Sequence, residues 1–91
     1  MIPDHEFIKN PSVPGPTAME VRCLLMCLAD PGKGDTAVDV GCGTGGVTLE
    51  LSRRAGRVYA IDKSPDAIST TEMNLKKHGL VDNVTLICGD A

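Results

Sequence analysis

Apolar positions along the chain follow two rhythms. Val21, Leu24, Leu25 and Leu28 recur at i, i+3, i+4 and i+7, the signature of a helix with one apolar stripe. Thr17 and Glu20 stand before it at the spacing of a capping box, and Pro31 and Gly32 stop it. Three short unbroken apolar runs then read as strands: 36–40 (TAVDV), 57–61 (RVYAI, closed by Asp62) and 84–88 (VTLIC). Two further helical segments separate them. Val47, Leu51 and Ala55 share one helical face, with Gly56 placed as a C-terminal cap. Ser64 caps the next helix, Pro65 takes its first position, and Asp66 complements its dipole. Gly79 ends that helix, and Leu80 can supply the apolar contact that accompanies such an end.

Four of the six prolines (Pro3, Pro11, Pro14 and Pro16) fall in residues 1–16, which predicts an extended arm that Phe7 and Ile8 can anchor against a body or a partner subunit. After the arm the order is a helix and then β-α-β-α-β. Alternation of this kind predicts an α/β fold with parallel strands, right-handed crossovers and helices on both faces. With the first strand central, one edge of it stays unpaired, and an open apolar edge is a liability. The expected organisation is therefore an arm over 1–16 and, over 17–91, the N-terminal part of a larger domain whose C-terminal half is absent.

Composition narrows the function classes. The chain has 91 residues, of which 42% are hydrophobic and 23% charged, a balance that supports a packed core. Its net charge is -3, and Phe7 and Tyr59 are its only aromatic residues, so neither an electrostatic footprint for nucleic acid nor a stacking platform is present. Asp4, His5 and Glu6 interrupt the N-terminus where a signal peptide would be apolar, and the longest apolar run, 23–29, is too short to span a bilayer. Cys23, Cys27, Cys42 and Cys88 form no C-x-x-C pair, which argues against a metal site and for reduced thiols in a cytoplasmic protein. Cys23, Met26 and Cys27 read as packing residues, and His78 suits a helix C-terminus.

The chemistry concentrates in Asp39-Val40-Gly41-Cys42-Gly43-Thr44-Gly45-Gly46, between a strand and a helix. Glycines let a chain turn sharply and let a ligand approach the backbone, and open α/β sheets bind ligands at the carboxyl ends of their strands. Gly41, Gly43 and Gly46 fit the dinucleotide pattern G-x-G-x-x-G. Gly41, Gly43 and Gly45 also fit G-x-G-x-G behind an acid, which resembles motif I of class I S-adenosylmethionine-dependent methyltransferases. Asp62 ends the second strand and can accept from both hydroxyls of a ribose, whichever cofactor carries it. Asp39 suits a cofactor with a cationic amino group and a sulfonium. Asp90, in Gly89-Asp90-Ala91, matches a methyltransferase segment that lies beside adenine. Together these features favour S-adenosylmethionine over NAD(P). Blander readings compete: a ligand-free turn for the loop, solvated acids for Asp62 and Asp90, and helix capping alone for Thr17. Cys42 reads as a small side chain beside a cofactor, since nothing basic near it in sequence would activate a thiolate.

Beyond the loop, the segments Ile2-Pro3-Asp4, Phe7-Ile8, Pro16-Thr17, Glu20-Val21-Arg22, VDVGCGTGGVTLEL, VYAID, Asn74-Leu75 and NVTLICGDA resemble the cobalt-precorrin-6B C(15)-methyltransferase (decarboxylating) family of cobalamin biosynthesis, over essentially the whole chain. The resemblance implies a Rossmann-like class I methyltransferase fold, a tetrapyrrole substrate methylated with loss of the C(12) acetate carboxylate, and a homotetramer. It implies that Thr17, Asp39, Gly41, Cys42, Gly43, Thr44, Gly45, Asp62, Asp90 and Ala91 serve the cofactor. No metal ligands are expected from the cysteine and histidine pattern, and no catalytic residue is assignable. Ala18 departs from a common Lys, Asp62 from a common Glu and Gly46 from a common Ser. The 91-residue chain is expected to be inactive alone. Rival functions are an NAD(P)-dependent oxidoreductase half-domain and a non-catalytic, truncated cofactor-binding module.

Overall fold

A computed structural model describes residues 1–90. A 3₁₀ turn at Asp4–Glu6 is followed by α1 (Met19–Ala29), β1 (Thr36–Val40), α2 (Gly46–Arg54), β2 (Arg57–Asp62), α3 (Pro65–Lys77) and β3 (Val84–Cys88). The strands pair in parallel in the order β1-β2-β3, with rows such as Val38, Tyr59 and Thr85 in register. Within the described sheet β2 is therefore central and β1 is an edge, where the sequence suggested a central first strand.

The helices lie on one face, not two. Met26 of α1 and Leu51 and Ala55 of α2 pack on Val58, with Ala37 and Val84 beside them. Leu49 of α2 and Leu75 of α3 pack with Phe7, flanked by Leu80 and Leu86. The reason is geometric. Two successive right-handed crossovers stepping in the same direction across a sheet place both helices on the same side. The opposite face, including Val38, Val40 and Ile87, is exposed, Val40 to 62%.

Local signals hold best in α3. The Ser64 side chain accepts from Ala67 N, Pro65 is the first helical residue, and Gly79 takes a left-handed φ of 68°. Leu80 N donates to Leu75 O (2.9 Å) and Gly79 N to Lys76 O (3.2 Å), the paired bonds of a Schellman ending. Gly56 is not the left-handed cap that its position suggested. Ala55 closes α2 in an extended conformation, and a Cβ on Gly56 would lie 2.2 Å from Lys33 O, so close backbone approach requires the glycine.

The first helix contradicts its sequence signals. Ala18 is its N-cap, no side chain caps it locally, and it ends at Asp30 in the left-handed region, ahead of Pro31. Thr17 and Glu20 form no capping box. Instead Met19 N donates to the remote carboxylate of Asp4 (3.3 Å), while the Thr17 carbonyl accepts from Arg22 Nε (2.7 Å). The apolar stripe faces outward, with Leu28 75% exposed, whereas Arg22 and Met26 are buried. Cys23 and Cys27 are exposed too, so neither is buried within this chain, which leaves a subunit contact as the packing role for them.

The guanidinium of Arg22 explains the inversion. It donates to Ile2 O, pairs with Asp4 and lies 4.9 Å from the Phe7 ring centroid, fastening residues 1–8 to α1. Phe7 and Val13 are buried, so the arm lies folded along the body.

Candidate functional site

The carboxyl ends of β1 and β2 open onto two adjoining clefts. The first, about 280 Å³, is walled by residues 12–17 of the arm on one side and Gly41, Cys42, Gly43 and Thr44 on the other, with Asp62, Ser64 and Ala67 between. The second, about 290 Å³, is lined by Val40, Gly41, Ile61, Asp62, Lys63, Gly89 and Asp90. Gly41 and Asp62 belong to both.

The loop is braced before any ligand arrives. Gly41 N and Cys42 N both donate to Ile61 O (2.7 and 3.1 Å), and Gly45 N donates to Cys42 O (2.9 Å). Gly43 N donates to Asp62 Oδ2 (3.0 Å) and Ser64 N to Asp62 Oδ1 (2.9 Å). Each Asp62 oxygen thus holds one backbone N–H and keeps further acceptor capacity toward the clefts. Gly41 and Gly43 have φ of 79° and 57°, and a Cβ on either would meet nothing closer than 4.0 Å. Left-handed backbone and the space above it are what a ligand lying across this bend requires. Helix α2 starts at Gly46, so its unpaired first-turn N–H groups point back at the same loop.

The sequence-predicted site residues up to Asp90 each have a place in the structure. Thr17, Gly41, Cys42, Gly43, Thr44 and Asp62 line the first cleft, and Asp90 lines the second with Gly41 and Asp62. Asp39 and Gly45 stand behind the linings. Gly45 is the N-cap of α2 at φ 103°, against Thr71 and Leu49. Asp39 accepts the Thr48 hydroxyl (2.6 Å), and burial pushes its carboxyl above the ordinary value, the Thr48 bond opposing and the nearby Asp62 charge adding. Cys42 is buried, and burial raises its thiol pKa, so it is no reactive thiolate. Ala91 lies outside the described residues. Among the described residues no cluster of three or more His, Cys, Asp or Glu could hold a metal ion.

Sequence reasoning gave no role to two residues that hold this site in shape. Thr71 and Asn74 are fully buried on the inner face of α3, with Thr70, whose hydroxyl bonds to Asp66 O within the helix. Thr71 Oγ1 donates to Gly43 O (2.8 Å), and Asn74 Nδ2 donates to Thr44 O (3.0 Å). The signal was present: Ala67, Thr70, Thr71, Asn74 and Leu75 follow helical spacing, but counting only apolar residues passes over a buried stripe that is mostly polar.

The electrostatics favour a cationic ligand over an anionic one, although Asp62 would serve a ribose on either cofactor. Among the described residues Asp62 is the only charged side chain lining the first cleft, with Asp39 behind it; the second adds Asp90 against Lys63. A pyrophosphate would meet carboxylates here, whereas a cationic ligand with a ribose is complemented. The residues present fit S-adenosylmethionine: an open glycine cradle, an anchored acceptor at the end of β2, and net negative charge.

Comparisons with known proteins bear on the family and the fold. A family model described as a methyltransferase domain matches residues 37–91. A probable cobalt-precorrin-6B C(15)-methyltransferase (decarboxylating) of Methanothermobacter thermautotrophicus is 81% identical over the whole chain, which covers 47% of it. One of the same name from Methanobrevibacter smithii is 49% identical over 96% of the chain, which covers 46% of it. The chain thus spans about half the length of the curated relatives it matches. Among solved structures, a precorrin 8W decarboxylase from Methanobacterium thermoautotrophicum superposes with a TM-score of 0.98 at 81% identity, covering 100% of this chain and 49% of that one. An RNA methyltransferase from Salinibacter ruber, solved with S-adenosyl-L-homocysteine, reaches 0.76 at 32% identity, covering 82% of this chain and 50% of that one.

Proposed function

Because the chain belongs to the methyltransferase-domain family, we propose that it is the cofactor-binding, N-terminal part of an S-adenosylmethionine-dependent C-methyltransferase of corrin synthesis. Its substrate would be cobalt-precorrin-6B, methylated at C(15) with loss of the C(12) acetate carboxylate. The working enzyme would be a cytoplasmic homotetramer with no nucleic-acid or membrane partner. The exposed face of the sheet and the free edge of β1 support a further set of strands and helices packing there. The observation that carries the reading is the acid-lined, glycine-floored double cleft, next to the high identity with proteins named for this reaction.

In this reading Asp62 holds the ribose hydroxyls, fixed in place by the Gly43 and Ser64 N–H groups. The bend Gly41–Thr44 and the arm residue Thr17 carry the methionine end, Asp90 with Ala91 the adenine. Asp39 contributes negative charge from behind the loop. When bound, the cofactor supplies an electrophilic methyl group. The task of these side chains is orientation, since transfer to carbon depends on in-line placement more than on proton movement.

Calorimetric titration tests the proposal: S-adenosylhomocysteine should bind and NADH should not. Binding of NADH alone would overturn it in favour of a nicotinamide enzyme. Asp62→Ala should weaken S-adenosylhomocysteine about tenfold or more, as expected for losing charge-assisted hydrogen bonds to two hydroxyls.

A further inference from the structure

Resting on the cofactor reading above, we infer that Asn74 is a positioning residue that sets the separation of the two walls of the first cleft. It lines neither cleft and is fully buried on α3. Its side-chain oxygen accepts from Ile8 N (2.6 Å), and its nitrogen donates to both Ile8 O (2.9 Å) and Thr44 O (3.0 Å). One amide thus grips both backbone groups of an arm residue and the last cleft-lining residue of the glycine loop. The Thr44 hydroxyl closes the circuit by donating to Pro14 O, on the opposite wall. One turn earlier on α3, Thr71 holds the neighbouring carbonyl, Gly43 O (2.8 Å). Arm and loop are therefore referenced to the same helix face, and Gly43 N, which anchors Asp62, belongs to the same unit.

No other common side chain satisfies this position. Aspartate could accept from Ile8 N but would set a carboxylate against two carbonyl oxygens. Alanine would leave three backbone groups without partners, each costly when buried. The consequence of loss is a cleft with its chemistry intact and its walls unlinked.

The experiment compares Asn74→Ala with Leu75→Ala, a core truncation beside it that packs on Phe7 and Leu49 but has no hydrogen bond to arm or loop to lose. Without ligand, amide exchange at Ile8 and Gly43 should quicken about tenfold or more in Asn74→Ala, with β2 amides no faster than in Leu75→Ala. Affinity for S-adenosylhomocysteine should fall about tenfold in Asn74→Ala and less than about twofold in Leu75→Ala. Equal affinity losses in the two variants, or unchanged exchange at Ile8, would overturn the inference. Should Asn74→Ala fail to fold, Asn74→Asp carries the test: it keeps an acceptor for Ile8 N and loses the donor to Thr44 O, so Gly43 should quicken more than Ile8 and affinity should still fall, and unchanged exchange and affinity would overturn the inference. If the unsubstituted protein does not bind S-adenosylhomocysteine, the cofactor proposal fails, and the exchange comparison alone decides the role of Asn74.

Discussion

Helices α1 and α3 invite comparison because both begin with conventional capping signals and both pack on the same face of the sheet. In α3 every local signal is used: Ser64 caps, Pro65 opens, and Gly79 and Leu80 close. In α1 almost none is. Thr17 does not cap, the apolar stripe faces solvent, and the buried positions are an arginine and a methionine. The difference lies in where each helix finds its partners. The signals of α3 refer to residues within the helix or next to it. Those of α1 are overridden by the arm, which brings Asp4 to the first turn and wraps Ile2, Asp4 and Phe7 around Arg22.

Truncating each helix at a leucine should break the symmetry most. Leu75 is fully buried between Phe7 and Leu49, so Leu75→Ala should cost about 3 kcal/mol of unfolding free energy. Leu28 is 75% exposed, and Leu28→Ala should change stability by less than about 0.5 kcal/mol. Urea titrations on matched samples check both. A large loss at Leu28 would mean that a second copy of the chain already covers the α1 stripe in solution.

Arg22→Met probes the arm directly. The substitution keeps much of the aliphatic stem but removes donors to Thr17 O and Ile2 O, for an expected loss of about 2 kcal/mol. Proteolysis of residues 1–16 should show the arm loosened around Ile2 and Asp4, while the ties of Ile8 to Asn74, Pro14 to Thr44 and Glu6 to Lys77 hold the rest. Among the described residues one nitrogen of Arg22, Nη1, is buried without a partner, a cost already built into the native state, so the net loss should stay below that of Leu75→Ala.

Caps form the third pair. Ser64→Ala removes the acceptor of Ala67 N and should cost about 1 kcal/mol. Thr17→Ala removes no cap and should cost no more than a few tenths, about the scale of a surface change. If Thr17 binds cofactor, as proposed, its substitution should instead appear in S-adenosylhomocysteine affinity, which separates a stability role from a ligand role at one residue.

The same contrast explains what was legible in the sequence. The three strands, α2, α3 and the glycine bend follow from runs, spacing and punctuation that act within a few residues. The strand-end acid Asp62 and the loop stood out because their chemistry is written in consecutive residues. The one-sided sheet follows from the order of its strands. The outward stripe of α1 and the Asn74 circuit were not legible for one physical reason. Each depends on pairs far apart in the chain: Asp4 with Met19, Ile8 with Asn74, and Pro14 with Thr44. Periodicity reports that a face is apolar, but not whether anything arrives to cover it.

The smallest expected effect is also the most specific to this comparison, because only one of the two caps can titrate. The Arg22 hydrogen bond holds Asp4 below its ordinary 3.8, with burial opposing and the Met19 N–H assisting. A carboxylate with a depressed folded pKa contributes stability that is present above 3.8 and lost as pH falls through the folded value. Acidification should therefore loosen the start of α1 while the Ser64 hydroxyl keeps capping α3. Global unfolding is a poor monitor, because Asp39 works in the opposite direction. Burial raises its pKa above 3.8, so its contribution is fully present below that value and lost as pH rises through the folded value. Acid relieves the strain at the glycine loop as it weakens the arm. Amide chemical shifts separate the two: as pH falls below 3.8 the Met19 amide should move with the protonation of Asp4, and the Ala67 amide should not follow it. Asp4→Asn should abolish the Met19 titration and leave Ala67 unchanged. Parallel titration of both amides would mean that the two helix starts report one global transition, and the distinction between a borrowed cap and a local one would fall with it.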